Sequence, residues 1–202
     1  MNPKIDFLRA DCLEVMPFFP DNYFNLAIVD PPYGIGISKN PFRQKHKIKK
    51  WDSEPPGPAY FEELFRISKN QIIFGGNYFD LPATQGFIIW DKKQPEDFSS
   101  AMCEFIWTSF QRPAKIYRRH VVNSETPKIH PTEKPVQIYR WLLSKFAEPG
   151  DRVLDTHCGS GSIAVACHYF GVDLFAIEKD PDYLNGAIER FDRETRQIAL
   201  AF

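Results

Sequence analysis

Short apolar runs alternate with helix-length segments along nearly the whole chain. The runs with strand character are residues 4–10, 24–30, 71–75, 86–92, 103–110, 152–156 and 174–180. The segments with helix character are residues 58–69, 136–147, 162–171 and 181–202. Strands that alternate with helices form a mostly parallel sheet covered on both faces. The sequence therefore predicts a single α/β domain, in which the strands at 86–92 and 103–110 form a hairpin.

The composition narrows the class of protein further. Aromatic residues make up 15% of the 202 residues, which indicates a substantial core. The four cysteines, Cys12, Cys103, Cys158 and Cys167, form no CxxC pair, so we expect neither a disulfide framework nor a metal site. No apolar run approaches the ~20 residues of a membrane span, and the N-terminus lacks the apolar core of a signal peptide. We therefore expect a cytoplasmic protein with no membrane partner.

A glycine-rich turn lies between a predicted strand and a predicted helix. It begins at Asp155, and Gly159, Gly161 and Ala164 have the G-x-G-x-x-A spacing of nucleotide-binding turns. Glu178 lies near the end of the next predicted strand, where a carboxylate can accept hydrogen bonds from both hydroxyls of a ribose. The turn indicates an adenosine-bearing cofactor, either a dinucleotide or S-adenosylmethionine. Tight packing alone is the structural alternative.

A second motif, Asp30-Pro31-Pro32-Tyr33, directly follows another predicted strand. The two prolines stiffen the turn and remove two N–H donors, and open α/β sheets bind ligands at the carboxyl ends of their strands. The Asp30 carboxylate and the Pro31 carbonyl can accept both hydrogens of an exocyclic amino group while Tyr33 stacks on the ring. The motif favours a planar substrate that carries an amino group, although a merely stiffened turn would also explain it.

The third motif, His130-Pro131-Thr132-Glu133-Lys134-Pro135, precedes a predicted helix. The hydroxyl of Thr132 and the ammonium of Lys134 near a helix N-terminus can hold a carboxylate. Capping of the helix by Thr132 or Glu133 is the alternative.

The net charge of −1 means that any basic surface is local, and two segments concentrate positive charge. Residues 39–50 contain six Lys or Arg and no acid, and residues 111–129 contain five against one Glu. We expect each segment to be a loop or an exposed sheet edge, and two of them beside a ligand-binding motif favour a phosphate-contacting surface. The candidate phosphate-contacting residues are Lys39, Arg43, Lys45, Lys47, Lys49, Lys50, Arg112, Arg118 and Arg119.

The motifs at 30–33, 130–135 and 155–161, in that order along the chain, resemble the amino-directed DNA methyltransferases of the β arrangement, in which the catalytic half precedes the cofactor half. The resemblance extends from about residue 4 to residue 192. Further segments resemble short phage- and prophage-type members; they are Phe74-Gly-Gly-Asn-Tyr78, Trp90-Asp-Lys92, Phe98-Ser99 and Trp107-Thr-Ser109. The resemblance implies a Rossmann-like domain over residues 1–202, with a catalytic half at 1–129 and a cofactor half at 130–202. It also implies seven strands in the order 3-2-1-4-5-7-6 of the family's own numbering, one of them antiparallel.

The resemblance also implies roles for individual residues, with S-adenosylmethionine as the cofactor. Asp155, Gly159 and Gly161 would form the cofactor loop, and Glu178 would bind the ribose. Asp11 would contact the adenine amino group of the cofactor, and Thr132 and Lys134 would lie near its methionine carboxylate. The other residues assigned to the cofactor are Cys12, Asp30, His157, Ser160 and Lys179. The catalytic residues would be Asp30, Pro31, Pro32 and Tyr33.

The chain departs from the family pattern at two places. Thr156 and His157 stand where the family usually has Pro-Phe, and Glu133 stands where Gln is common. The interval at 34–129 also leaves little room for a separate recognition domain. Sequence specificity would then depend on the segments at 34–57 and 111–129 or on a second subunit of a homodimer.

The implied activity is methylation of the N6 amino group of adenine in double-stranded DNA, within a restriction-modification or phage setting, with the base flipped out of the helix. The nearest alternative is N4-cytosine methylation, for which the first residue of the Asp30 motif is more often Ser. RNA and protein N-methyltransferases commonly have Asn there. A nicotinamide-dependent oxidoreductase would explain only the glycine turn, and a non-catalytic DNA-binding subunit would not explain the intact motifs.

Overall fold

The computed structural model describes residues 2–36, 52–97, 101–120 and 132–196, and within them eight strands form one sheet. The strands are β1 (Ile5–Arg9), β2 (Phe24–Val29), β3 (Ser68–Phe74), β4 (Ile88–Asp91), β5 (Cys103–Thr108), β6 (Lys115–Arg118), β7 (Arg152–Asp155) and β8 (Asp173–Glu178). The α-helices are α1 (Cys12–Val15), α2 (Pro58–Ile67), α3 (Val136–Phe146), α4 (Ser162–Phe170) and α5 (Pro181–Arg196). Short 3₁₀ helices cover Met16–Phe18 and Gly76–Tyr78.

The sheet has the order β1-β8-β7-β2-β3-β5-β4-β6. β5 is antiparallel to both of its neighbours, and the other paired strands are parallel. When β7, which leads into the glycine turn, is numbered as the family's first strand, the first seven positions read 3-2-1-4-5-7-6. The predicted strand order, the single antiparallel strand and the hairpin of β4 and β5 are therefore confirmed.

The expected number of seven strands is wrong, because β6 adds an eighth at the edge of the sheet. β6 pairs in parallel with β4 and lies inside the segment 111–129, for which we expected a loop or an exposed edge. Its side chains are mostly exposed, so its sequence has no apolar alternation. Backbone hydrogen bonds hold it in place, such as that from Lys115 N to Phe87 O at 3.0 Å.

Helices cover the sheet on both faces, as the alternating pattern predicts. On one face Ile28 of β2 belongs to a core cluster with Leu142 of α3 and Ile163 of α4. On the other face Val29 belongs to a cluster with Leu64 of α2. β2 is apolar at every position except Asn25 because both of its faces are buried. Burial of one such side chain contributes about 1.5–3 kcal/mol.

Several sequence-based assignments lie outside the described residues. They are Lys39, Arg43, Lys45, Lys47, Lys49, Lys50, Phe98, Ser99, His130 and Pro131, together with residues 121–129. In the part of the chain that the structure describes, no helix combines the length and the apolar character that crossing a membrane requires.

Candidate functional site

Four acidic residues predicted to bind ligands meet at one edge of the sheet. Asp11 follows β1, Asp30 follows β2, Asp155 ends β7 and Glu178 ends β8. These four strands are parallel, so their carboxyl ends lie at the same edge. Because β5 runs in the opposite direction, its beginning rather than its end reaches this edge. That reversal brings Glu104, near the start of β5, into the site.

The turn after β2 holds Asp30 and Tyr33 together. The Tyr33 hydroxyl donates to Asp30 Oδ1 at 2.6 Å and lies 2.8 Å from Glu104 Oε1. The backbone N–H groups of Tyr33 and Gly34 both donate to Asp52 Oδ1, at 2.8 and 2.9 Å. Asp52 is buried, so these two hydrogen bonds hold the backbone of the turn against the protein interior.

Two lysines neutralise the carboxylates around Tyr33. Lys134 Nζ lies 2.5 Å from Asp30 Oδ2 and 3.1 Å from Glu104 Oε1, and Lys92 Nζ lies 3.0 Å from Glu104 Oε2. We call these five residues, Asp30, Tyr33, Lys92, Glu104 and Lys134, the acid–lysine cluster. The assignment of Lys134 to a cofactor carboxylate stays a prediction, since here its ammonium faces two protein carboxylates.

Burial and charge set the protonation of this cluster. Burial raises the pKa of Asp30, and Lys134 only partly offsets that rise. Burial acts on Glu104 in the same direction, but the ammonium groups of Lys134 and Lys92 outweigh it and lower the pKa of Glu104. Burial and the two neighbouring carboxylates raise the pKa of Tyr33 well above its usual value. Tyr33 therefore keeps its proton, and Glu104 is the more readily ionised of the two acids.

The glycine turn after β7 is closed by Glu178. Its Oε2 accepts from Gly159 N at 2.9 Å and its Oε1 from Asp180 N at 2.8 Å. Gly161 has φ 71°, and a Cβ atom there would lie 2.9 Å from the Cβ of Ala187 on α5. This position requires glycine for both the backbone conformation and the close helix approach.

A buried arginine joins the glycine turn to the segment before α3. Arg190 of α5 donates to Ser162 Oγ at 2.9 Å and pairs with Glu133 at 3.2 Å. Ser162 Oγ in turn donates to the carbonyl of Lys134 at 2.6 Å. The third motif, which contains the half-buried Thr132, and the glycine turn, which contains the buried Ser160, thus form one unit.

The unusual pair Thr156-His157 belongs to a chain of polar side chains in which Tyr60 and Thr156 are buried and His157 is half-buried. Tyr60 Oη lies 2.6 Å from Thr156 Oγ1, which lies 2.9 Å from His157 Nδ1. His157 Nε2 lies 4.0 Å from Cys12 Sγ. Burial lowers the pKa of His157 to about 4, so the ring is neutral at pH 7. Asp11, next to Cys12, caps α1 and pairs with Lys179 at 2.7 Å.

An aromatic stack flanks the acid–lysine cluster. The rings of Tyr33 and Tyr78 are stacked, with centroids 4.8 Å apart and planes 12° apart. Tyr78 is 44% exposed, so it is the solvent-facing ring of the pair. One face of Tyr33, which we expected to stack on a base, is thus covered by Tyr78.

The described basic residues of the second segment separate into two groups. Arg118 and Arg119 lie at the end of β6. Because β6 is parallel to β4, it ends at the same edge of the sheet as the acid–lysine cluster. Arg112 precedes β6 and donates to the carbonyl of Lys145 at 3.1 Å, at the opposite edge. The structure therefore brings Arg118 and Arg119, but not Arg112, towards the acid–lysine cluster.

Residue types alone did not assign Glu104, Lys92, Tyr78 or Arg190 to the site. The position of Glu104 in its strand could have indicated a role in the site. It lies on the same strand face as the buried Ile106 and Thr108, and an acid on a buried face needs a charged or hydrogen-bonding partner. Within the described residues, no three His, Cys, Asp or Glu side chains are grouped in a way that could hold a metal ion.

Comparison with known proteins identifies the family. The N6_N4_Mtase model, described as DNA methylase, matches residues 90–189. The type II methyltransferase M.HpaI of Haemophilus parainfluenzae is 34% identical over 239 residues, which cover 92% of this chain and 73% of the relative. The chain belongs to this DNA methylase family. Its members act on either N6 or N4 amino groups, as the name of the family states.

Solved structures of other methyltransferases share the fold. M1.HpyAVI, determined as a SAM complex, has a TM-score of 0.62 at 20% identity, with 93% of this chain and 99% of that one covered. The cytosine-N4-specific PvuII DNA methyltransferase has a TM-score of 0.64 at 13% identity, with 98% and 93% covered. At these identities the similarity establishes the α/β fold of the family.

Proposed function

We propose that this DNA methyltransferase transfers a methyl group from S-adenosylmethionine to the N6 amino group of adenine in DNA. The observation that carries the proposal is the position of Asp30. Its carboxylate lies at the carboxyl edge of the sheet, beside Tyr33 and near the glycine turn. In the family resemblance, Asp at this position favours adenine over cytosine.

The residues of the glycine turn fit the cofactor. Glu178 offers a carboxylate at the end of β8, and Gly159 and Gly161 both have positive φ, which lets a ligand approach the backbone. Asp11 places a second carboxylate at the end of β1, where it would accept from the adenine amino group. When bound, S-adenosylmethionine supplies a methyl group on a sulfonium, which is already a strong electrophile.

The protein's own contribution is to position the amino group and make it more nucleophilic. The lone pair of an exocyclic amino nitrogen is delocalised into the ring. Acceptors at both amino hydrogens, Asp30 Oδ1 and the Pro31 carbonyl, favour a pyramidal nitrogen with its lone pair free to form the new bond. The methylated nitrogen is a strong acid and releases its proton to Asp30 or water, so no strongly basic group is needed. The Asp30 charge also stabilises the cation that develops.

The target base leaves the helix to reach this pocket, at a cost of a few kcal/mol. We place it against the Tyr33–Tyr78 pair, because this stack borders Asp30 and its Tyr78 ring is exposed. Arg118 and Arg119, together with the basic run at 39–50, would contact the phosphates. We expect this reaction to take place in the cytoplasm of a bacterial or phage-infected cell.

One experiment tests the proposal directly. The protein is incubated with unmethylated DNA and labelled S-adenosylmethionine, and the digested nucleosides are identified by mass analysis. We expect N6-methyladenine, and modified-base sequencing then gives the recognition sequence. N4-methylcytosine would replace the adenine assignment, and the absence of any methylated base in DNA would overturn the proposal. The Asp30→Ala protein serves as the inactive control.

A further inference from the structure

The Tyr33 hydroxyl has one proton and two carboxylate neighbours. It lies 2.6 Å from Asp30 Oδ1 and 2.8 Å from Glu104 Oε1, and a phenol can donate to only one acceptor at a time. A rotation of the O–H bond moves the hydrogen bond from one acid to the other, while every heavy atom stays in place. Tyr33 therefore has an alternative acceptor already within reach.

Asp30 needs that alternative when it binds substrate. Its Oδ2 is taken by Lys134 at 2.5 Å, and its Oδ1 receives the Tyr33 hydroxyl. An incoming amino group must therefore share Oδ1 with Tyr33 or replace it. Since the acceptor strength of Oδ1 falls when another donor already occupies it, substrate activation is best when the Tyr33 hydroxyl turns away.

We propose that Glu104 is a positioning residue that accepts the Tyr33 hydroxyl hydrogen bond while Asp30 accepts the amino group of the target base. This inference rests on the proposed function and deepens it. Glu104 acts through Tyr33 and does not itself contact the base.

The surroundings of Glu104 suit this role. Its side chain is 12% exposed and lies on β5, which is paired on both sides with β3 and β4, so it is held rigidly. Lys92 and Lys134 bind its two oxygens, which keeps it an ionised acceptor. Lys134 Nζ also lies 3.4 Å from the Tyr33 hydroxyl oxygen, so a positive charge stays beside Tyr33 and Asp30 in either hydrogen-bonding state.

A double-mutant cycle tests the proposal. Single-turnover methylation rates are measured for the wild type, Glu104→Ala, Tyr33→Phe and the double variant. The affinity of each protein for S-adenosylhomocysteine, the product formed from the cofactor, is measured as well. In Glu104→Ala the hydroxyl has Asp30 as its remaining carboxylate acceptor, so we expect the rate to fall ~10²–10³-fold, as for the loss of one charged transition-state contact. In the Tyr33→Phe background no hydroxyl competes for Asp30, so the same change should cost at least ~10-fold less.

Two further variants separate positioning from structural support. Glu104→Gln keeps an acceptor oxygen and should retain at least ~10-fold more activity than Glu104→Ala. Lys69→Met is the control, because this exposed lysine lies near the beginning of β3, at the opposite edge of the sheet, and it should leave the rate unchanged. Equal costs of Glu104→Ala in both Tyr33 backgrounds would show a purely structural role and overturn the inference. A wild type that methylates no DNA base would instead overturn the proposed function itself.

Discussion

A Cβ atom on Gly75 would lie 2.4 Å from Cε1 of Tyr33 and 2.5 Å from its Cζ. Gly75 follows β3 and has φ 66°, in the left-handed region that only glycine adopts without strain. The ring of Tyr33 thus rests against bare backbone, and the hydroxyl reaches Asp30 because of it. Gly75 and Tyr33 define one wall of the acid–lysine cluster.

Replacement of Gly75 by Ala should therefore displace Tyr33. We expect a loss of roughly 1–3 kcal/mol in the free energy of unfolding, the cost of overpacking a filled site, and a large loss of methyl transfer. Denaturant unfolding and single-turnover rates measure the two effects. Gly57→Ala is the control, because its φ is −75° and an added Cβ atom there meets nothing within 4 Å. Unchanged activity in Gly75→Ala would show that the position of Tyr33 is not critical.

Substitutions of Asp30 should follow an order. Asp30→Ala should abolish transfer while the cofactor still binds, because the acceptor is lost but the glycine turn is untouched. Asp30→Asn keeps one acceptor oxygen and should retain activity reduced by ~10²–10³-fold. Single-turnover rates on unmethylated DNA decide this, with calorimetry of S-adenosylhomocysteine as the control for folding. Equal, complete loss in both variants would favour obligatory proton abstraction, and full activity in Asp30→Ala would remove Asp30 from catalysis.

Replacement of Glu178 by Ala should weaken cofactor binding. Two charge-assisted hydrogen bonds to the ribose would be lost, each worth about 1.5–3 kcal/mol before compensation, and Gly159 N would lose its acceptor as well. Calorimetry with S-adenosylhomocysteine and with its analogue lacking both ribose hydroxyls separates the two effects. The wild type should discriminate strongly between these ligands and the variant should not. Discrimination that survives in the variant would rule out the ribose assignment.

His157 should make folding sensitive to acid. Burial lowers its pKa to about 4, against 6.5 for an unperturbed histidine. Between these values the unfolded chain binds a proton that the folded chain does not, so stability falls as the pH drops below 6.5, by at most about 1.4 kcal/mol per pH unit. His157→Phe introduces the residue that is usual in the family at this position, and it removes the pH-dependent contribution of His157 to the free energy of unfolding. Unfolding free energies at pH 7.5, 6 and 5 should show the variant gaining on the wild type; a constant difference would contradict the assignment.

The basic run at 39–50 should contribute phosphate contacts. Replacement of Lys45, Lys47, Lys49 and Lys50 by Gln should lower DNA affinity and flatten the plot of log K against log salt by about 0.9 per lost contact. Cofactor affinity should stay the same. Lys69→Gln is the control, since this exposed residue lies near the beginning of β3, at the opposite edge of the sheet. A slope that does not move would mean that the run contributes no phosphate contacts.

Most of the fold was predictable from local pattern. Each of the buried strands, such as β2 and β7, carries its own apolar run and ends in an acid or a turn, so its place in an α/β sheet follows from short-range sequence. β6 could not be found in this way. Its four residues are mostly exposed and have no periodicity, and only the backbone of β4 makes them a strand.

The sequence alone also predicts which acids lie at the carboxyl edge of the sheet, because Asp11, Asp30, Asp155 and Glu178 each follow a predicted strand or lie near its end. The acid–lysine cluster was decided only by tertiary structure. Glu104 is 71 residues from Tyr33, and Lys134 is 104 residues from Asp30. They meet because β5 enters the sheet antiparallel and because Arg190 and Ser162 anchor the segment that carries Lys134. No local pattern encodes that contact, since it depends on strand direction and on packing between distant elements.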